Sequence, residues 1–421
     1  MTEPTVAVLA TLNNKNAEAR FVCETLAKVG IDPLLMDISL RPHAIEGADI
    51  PGGEIAQAAG ISWDAMSRLN RVEAAKAMIS GGTDILLGKH AQGEVNGVIA
   101  MGGANGTAMA CDMMRALPPL FPKVMISTMA GTAAVEWYVA ESDIVMFPSI
   151  GDILLNRVTR TVMQHAAWSV AAMVKNRRNE KAVEEEKVPL VGVSSFGGTA
   201  ECVDAVTKGL IAAGYEVIHF HASGPGGKAL EKLARTGQLA GVVDITTQEL
   251  AAFALGGVFN AGEGRLRGAG KKGLPQIVVP GAIDHVVFWV SNVPDRYKDR
   301  EFYQFNKTNI LLRTNAAELQ KLGRMMAERL NEAVGPFAVL IPTRGFSEHT
   351  KQMTRDLKGK EIGPWTRPAV DAEFAKSLRE HLNKGRVEVL DLHINDPAFA
   401  DACLNAFMDL MSDKTRTESG K

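Results

Sequence analysis

Long apolar runs are missing from this chain. No stretch approaches the roughly 18 consecutive apolar residues of a membrane span, so no membrane-spanning role is expected. Cysteine is scarce: Cys23, Cys111, Cys202 and Cys403 lie far apart, without a CxxC pair. That spacing excludes a disulfide framework or a zinc cluster and fits a reducing compartment. Charge of one sign is not in excess either. The net charge is −2, aromatics are 6%, and no basic stripe is interleaved with aromatic residues, so nucleic acid is not an expected partner. The opening "MTEPTVAVLA" lacks a basic segment followed by a long apolar run, the pattern of a secretory leader, and a cytoplasmic location is the expectation. HExxH, GxSxG, the kinase signature and the EF-hand loop are all absent, so no catalytic set is fixed by spacing.

What the chain does have is glycine-punctuated alternation of strand-like and helix-like segments. Over 421 residues, with 46% apolar and 22% charged, there is material for two domains with sizeable cores. Residues 6–38 run strand, loop, amphipathic helix, Gly30, strand; residues 189–220 repeat that order, with Gly214 in the place of Gly30. "GEVNGVIAM" is matched by "GQLAGVVDI", and "PKVMIST" by "PQIVVPG". Strands and helices alternating at this spacing predict parallel sheets with right-handed crossovers. The expected architecture is α/β: two tandem Rossmann-like doubly wound domains with an interdomain cleft. The first spans 1–180 and the second 188–411, divided by the charged segment "KNRRNEKAVEEEK", with a polar, disordered tail over 412–421. "FAVLIP" and "RVEVLDLHI" are two further strand candidates that complete the second sheet.

Within this frame "VNGVIAMGGANGTAMA" reads as strand, tight loop, helix. Gly102 and Gly103 are able to take positive φ and leave room for a bulky anion. Gly106 and Thr107 then open a helix whose first turn offers unpaired N–H groups and roughly half a positive charge. The segment is neither GxxxxGK[ST] nor GxGxxG, so composition alone leaves a phosphate site and a plain turn evenly balanced. Ligands in open parallel sheets collect at strand carboxyl ends. Asn13, Asn14 and Lys15 follow the first strand; Asp37 and Ser39 follow the second; Ser127, Thr128 and Asp152 occupy later loops. Each has a plainer reading, an exposed lysine or a turn cap. Arg68 and Arg71 sit in "WDAMSRLNRVEAAKAM", where a solvated helix face is the plain alternative.

Taken in order, "VAVLATLNNK", "GVIAMGGANGTAMA", "PKVMISTMAGT", "SDIVMFPSIGDI", "VGVSSFGGTAECV", "VVPGAIDHVVF", "IPTRGFS" and "HINDPAFADA" resemble the family of the plant tobamovirus-resistance protein and its bacterial relatives. The resemblance spans nearly the whole chain. It implies two Rossmann-like domains, with ATP and Mg²⁺ bound by the first. Carried over by position, it implies contacts from Asn13, Asn14, Lys15, Ser39 or Leu40, Arg71, Gly103, Ala104, Asn105 and Gly106, with Thr107 beside them. The chain departs from the family pattern at Asn13–Asn14, where an acidic residue and threonine are usual, and at Ala104–Asn105 in place of Ser-Gly. The first change removes a charge available to a metal, and no ligand set made of protein side chains is expected for one.

The second half offers Arg265, Arg267, Asp284, His285, Arg313, Thr314, Arg344, Ser347 and His349 near strand ends. As a group they suggest a site for an anionic small molecule, with Asp284 the candidate general base; singly, Asp284 caps a helix and His285 fills a core. The leading expectation is an ATP-dependent enzyme acting on an anionic metabolite by phosphoryl or acyl-phosphate transfer. A nucleotide or metabolite sensor, and an ATP-regulated interaction protein, are the alternatives. The Met-rich helices serve as core or as contacts of a homo-oligomer.

Overall fold

In the computed structural model, residues 3–180 and 188–419 are described. The chain divides into two compact units, Met1–Glu185 and Glu186–Lys421. Most of the charged segment expected to separate them lies outside the described residues.

The first unit is built on β1 (Thr5–Ala10), β2 (Asp32–Asp37), β3 (Gly97–Gly102), β4 (Lys123–Ser127) and β5 (Val145–Pro148), in spatial order β2-β1-β3-β4-β5. Every pairing is parallel. Strand alternation decides which core each residue joins. Val6 and Val8 face the helices Leu12–Ala27 and Arg157–Glu180, whereas Ala7 and Leu9 face Gly52–Ala58, Arg71–Ala91 and Ala104–Ala116. With helices on both faces, the buried strands carry apolar residues at nearly every position.

The second unit repeats the plan with β6 (Leu190–Ser195), β7 (Glu216–His221), β8 (Gly241–Thr246) and β9 (Gln276–Gly281), before its topology diverges. After β9 the chain forms β10 (His285–Trp289), β11 (Phe302–Gln304) and β12 (Asn309–Arg313). It then adds β13 (Phe337–Pro342), β14 (Met353–Arg355), β15 (Glu361–Pro364) and β16 (Arg386–Leu390). The parallel sheet is ordered β16-β13-β9-β8-β6-β7, so "FAVLIP" and "RVEVL" do complete it. Gly30 and Gly214 stand at matching places between helix and strand, at φ +67° and +87°, where a side chain would be strained.

Two features differ from the sequence expectation. A separate antiparallel sheet, β10-β12-β11-β14-β15, is grafted onto the second unit. "HVVFW" is thus a strand in its own right, and its short, bulge-interrupted partners carry no period long enough to announce a sheet. The final helix runs Pro397–Ser419, so the segment expected to be disordered from 412 is helical as far as it is described; its last two residues lie outside the described ones.

Deep in the second unit, the fully buried Arg265 holds three carboxylates. It pairs with both oxygens of Asp244, one at 2.7 Å, with Glu249 at 2.7 Å and with Glu231 at 3.3 Å. Glu249 also accepts the Gly224 and Gly227 amides, and Glu231 accepts Leu266 N–H at 2.5 Å. These carboxylates tie loop backbone to the guanidinium, and burial pushes Glu231 and Glu249 upward despite it. Arg265→Ala leaves buried acid groups uncompensated. It is expected to cost the second unit about 3–5 kcal/mol in urea unfolding. Because the orphaned acids then fold protonated, the loss should be smaller at pH 5 than at pH 8.

Candidate functional site

The reversal in strand order between β1 and β3 sends their following helices to opposite faces of the sheet. Their loops therefore part, and a crevice opens at the strand carboxyl ends. A cavity of about 610 Å³ lies there, lined by Thr11, Asn13, Asn14, Lys15, Leu40, Arg41, Arg71, Gly102–Gly106 and Asp152. Segments that are far apart in sequence, the first loop, Arg71 and the glycine loop, thus meet in one place.

The helix after β3 begins at Ala104, earlier than its composition suggests. Gly103 is its N-cap in extended geometry, at φ −73° and ψ −164°, and no side chain caps it. Ala104, Asn105 and Gly106 form its first turn, whose N–H groups have no partner further back in the helix. None of Gly102, Gly103 and Gly106 adopts positive φ. Of the three, Gly102 is the one that packing requires to be glycine. A Cβ on Gly102 would stand 2.7 Å from Gly106 Cα, closer than atoms can approach. A Cβ on Gly103 would meet nothing nearer than Thr128 Oγ1 at 3.8 Å. Gly102 serves the fold, and Gly103 keeps the cavity floor bare.

Thr107 does not reach the cavity. Its hydroxyl is fully buried, 3.1 Å from Gly102 O and 2.6 Å from Ser127 Oγ, so it latches the loop to β4. Ser39 is likewise buried: its Oγ donates to Asp37 Oδ1 at 2.6 Å and accepts the Asn13 amide at 3.2 Å. Asp37 also accepts the Leu12 amide and contacts His43, so the acidic strand end caps the first helix. Of the alternatives Ser39 and Leu40, the geometry brings Leu40 to the cavity.

Lys15 breaks the helical geometry of its own segment (φ −130°, ψ 23°), and its Nζ donates to Ile153 O at 2.7 Å. Arg71 is the first residue of its helix because Asn70 and Glu73 form a capping box. The stretch from Trp63 is therefore two helices rather than one, with Arg71 at the start of the second, while the exposed Arg68 is not among the lining residues. Arg41 was not anticipated. It donates to Leu40 O, Met66 O and Leu69 O, which fixes it along the cavity wall. Its only sequence signal was a basic residue just past the second strand. A further cavity of about 380 Å³, lined by Ser127, Thr128, Ser149, Gly151 and Asp152 among others, shares Asp152 with the first.

In the second unit the predicted arginines do not assemble into one anion site. Arg265 is spent on its three carboxylates; Arg267 pairs with Glu263 and Glu332; Arg344 pairs with Asp396. Arg313 donates to Asp371 at 2.5 Å, Trp365 O and the Asp284 and Thr314 carbonyls. Asp284 is buried, and its oxygens face His285 Nδ1 at 2.9 Å, Ser347 Oγ at 2.8 Å and Trp365 Nε1 at 2.8 Å. Burial alone would raise its pKa, but the His285 contact, Arg313 and the Trp365 bond together hold it well below the usual carboxylate range. A general base needs the opposite, proton affinity near the working pH. Asp284, the candidate base expected from sequence, thus meets His285, Ser347 and Trp365 inside the core.

Residues 4–179 match the model described as "Uncharacterised protein family (UPF0261) N-terminal domain", and 188–411 match that family's C-terminal domain. A UPF0261 protein of Clostridium tetani is 34% identical over 96% of this chain and 98% of its own length. One from Rhizobium meliloti is 37% identical over the same shares. The ToMV resistance protein Tm-1(GCR237) of Solanum lycopersicum is 36% identical over 76% of this chain, which covers 42% of that longer protein.

Two measurements check these assignments. Gly102→Ala should lower the melting temperature of the first unit clearly, while Gly103→Ala should leave it nearly unchanged. For His349, burial lowers the pKa from 6.5 to about 4. The unfolded chain then binds the extra proton first, so stability is full above about pH 6.5 and falls as pH drops toward 4. His349→Phe should remove that part of the slope.

Proposed function

Because this chain belongs to the UPF0261 family, and its relatives share both halves of the fold, we propose that the first unit binds ATP in the crevice between β1 and β3. The observation that carries this reading is the convergence of Lys15, Arg41 and Arg71 on an uncapped helix start whose floor is Gly103. Triphosphate is a dense anion, and it needs donors that approach without Cβ interference. Backbone N–H groups at a helix start supply directional bonds. Lysine contributes a point charge and the arginines a planar fork of donors. The cavity volume lies within the range of small-molecule and cofactor sites.

Magnesium fits this donor set only as an ion carried on phosphate oxygens. Among the described residues no cluster of three or more His, Cys, Asp or Glu side chains is placed to hold a metal, and Asp152 is the one carboxylate lining the cavity. Mg²⁺ is commonly held by one or two carboxylates plus substrate phosphates, and in that role it would offset phosphate charge. The protein's own residues hold and orient the nucleotide.

The reaction we propose is ATP-dependent phosphoryl or acyl-phosphate transfer to a small anionic metabolite. The hydroxyl-rich cavity sharing Asp152 offers space for a second reactant beside the nucleotide. The alternative is a nucleotide-regulated sensor or interaction protein without turnover. It draws support from Asp284, the candidate base, whose carboxylate oxygens are engaged by His285, Ser347 and Trp365 in the core.

Calorimetric titration with MgATP tests the site. Saturable binding is expected for the wild type and none for Gly103→Trp, whose fold is retained because the glycine's Cβ direction is open. Arg71→Ala should weaken binding about tenfold, the worth of one charge-assisted bond. Absence of wild-type binding sinks the reading. Binding with ATP consumption in a metabolite screen supports the enzyme, and binding without it the sensor.

A further inference from the structure

A strand at the edge of a sheet leaves a row of N–H and C=O groups unpaired, and proteins discourage stray pairing there with charge or with a covering segment. Among the described residues, every sheet edge of this chain but one is protected in one of these ways. Asp49 and Ile50 lie along β2, where Ile50 bonds to Leu35 and Asp37. The Val258 amide meets β10. β7 carries Glu216, β15 carries Glu361, and β16 carries Arg386 and Glu388. The exception is β5, with the sequence Val-Met-Phe-Pro. It pairs with β4 alone, and no charged residue stands in it.

Apolar side chains flank this bare edge. Val145 is 39% exposed, Trp137 of the helix Val135–Val139 76%, Ile150 79% and Leu154 57%. Together they leave roughly 450 Å² of apolar surface in water. That is about the apolar share of the ~800 Å² that each partner brings to a standard interface. Ile150 adds a conformational cost. It stands at φ +66°, in a three-residue turn closed by Gly151 N–H to Ser149 O at 2.8 Å. Left-handed geometry strains a β-branched residue, and asparagine or glycine would suit the turn better. An exposed isoleucine held there is accounted for by a surface that covers it.

The ladder shows how a partner can sit. Ser149 N–H donates to Ser127 O at 3.1 Å. By alternation Val145 and Phe147 turn their main chain toward β4, and Met146 turns its N–H and C=O outward. Pro148 has no N–H to offer, which confines the pairing to the residues around Met146. A strand of opposite direction centred on the same residue exchanges both Met146 bonds, and a two-fold axis makes that strand another β5. Such an axis sets an uncharged edge against an uncharged edge. The edges of β7, β15 and β16 would bring charge to it instead.

We infer that a second copy of this chain pairs with β5, antiparallel and across a two-fold axis at Met146, joining two five-stranded sheets into one. Trp137, Val145, Ile150 and Leu154 belong to that interface. The loop leaving β5 carries Ser149, Gly151 and Asp152 to the cavities of the first unit, so a partner on this edge also braces their walls. The pairing does not depend on what those cavities bind.

Sedimentation velocity of the full chain without nucleotide is expected to show a dimer. Val145→Lys combined with Ile150→Asn charges the edge and relaxes the turn. The sedimenting mass should halve while the far-ultraviolet circular dichroism stays the same. Should that double variant fail to fold, Met146→Cys gives an independent reading. Its two copies would lie about 5.5 Å apart at Cα, within disulfide reach. Dissolved oxygen should therefore link them into a covalent dimer on a non-reducing gel. The wild type, with Cys23, Cys111, Cys202 and Cys403, should run there as a single chain. A monomeric wild type, a dimer retained in the folded double variant, or Met146→Cys without a covalent dimer would each overturn the inference.

Discussion

Two parallel strands that adjoin an order reversal cannot send their helices to the same face. The helix after β1 packs with Val6 and Val8, and the helix after β3 with Ala7 and Leu9, on opposite sides of one sheet. From that constraint the rest of the first unit's site follows. The loops diverge, the crevice between them is bounded by two helix starts, and both are short of backbone partners. One helix start is satisfied internally, through Asp37 and Ser39; the other, at Gly103, has no side-chain cap and faces the cavity.

The second unit obeys the same constraint and reaches a different chemistry. Its sheet has the same opening order, but its glycine pair lies on the loop leaving β6 and the space there is walled by a grafted antiparallel sheet. Arg313 and Asp284 are consumed in holding that sheet to the core, through Trp365, Ser347 and Asp371. Charge that composition assigns to ligand binding is here part of the architecture. Burying one of these charges without its partner costs about 3–5 kcal/mol, a large share of the roughly 5–15 kcal/mol that keeps a protein folded.

How much of the site was legible depended on whether a residue's role is local. That Gly103, Asn105, Lys15 and Arg71 line one cavity could be expected because strand-loop-helix boundaries show in sequence and because strand carboxyl ends gather in one place. Ser39 and Thr107 do not line that cavity, for a shared reason. A hydroxyl at a strand end looks the same in sequence whether it faces a ligand or a neighbouring strand, and both of these face inward. Arg41 escaped notice because its position is fixed by carbonyls of Leu40, Met66 and Leu69, two of them well over twenty residues away.

The sequence by itself determined the two-unit α/β plan, the parallel strands and the glycine turn after β3. Those rest on period, propensity and turn chemistry, which act over a few residues. Only the tertiary structure decided which polar groups are free. Asp244, Glu249 and Arg265 lie apart in sequence and close together in the core, and whether a carboxylate or guanidinium can meet a ligand depends on which partners reach it first. The antiparallel sheet belongs to the same class: its short strands carry little local signal and are held by pairing across long separations, and they wall a cavity against the loop that follows β6.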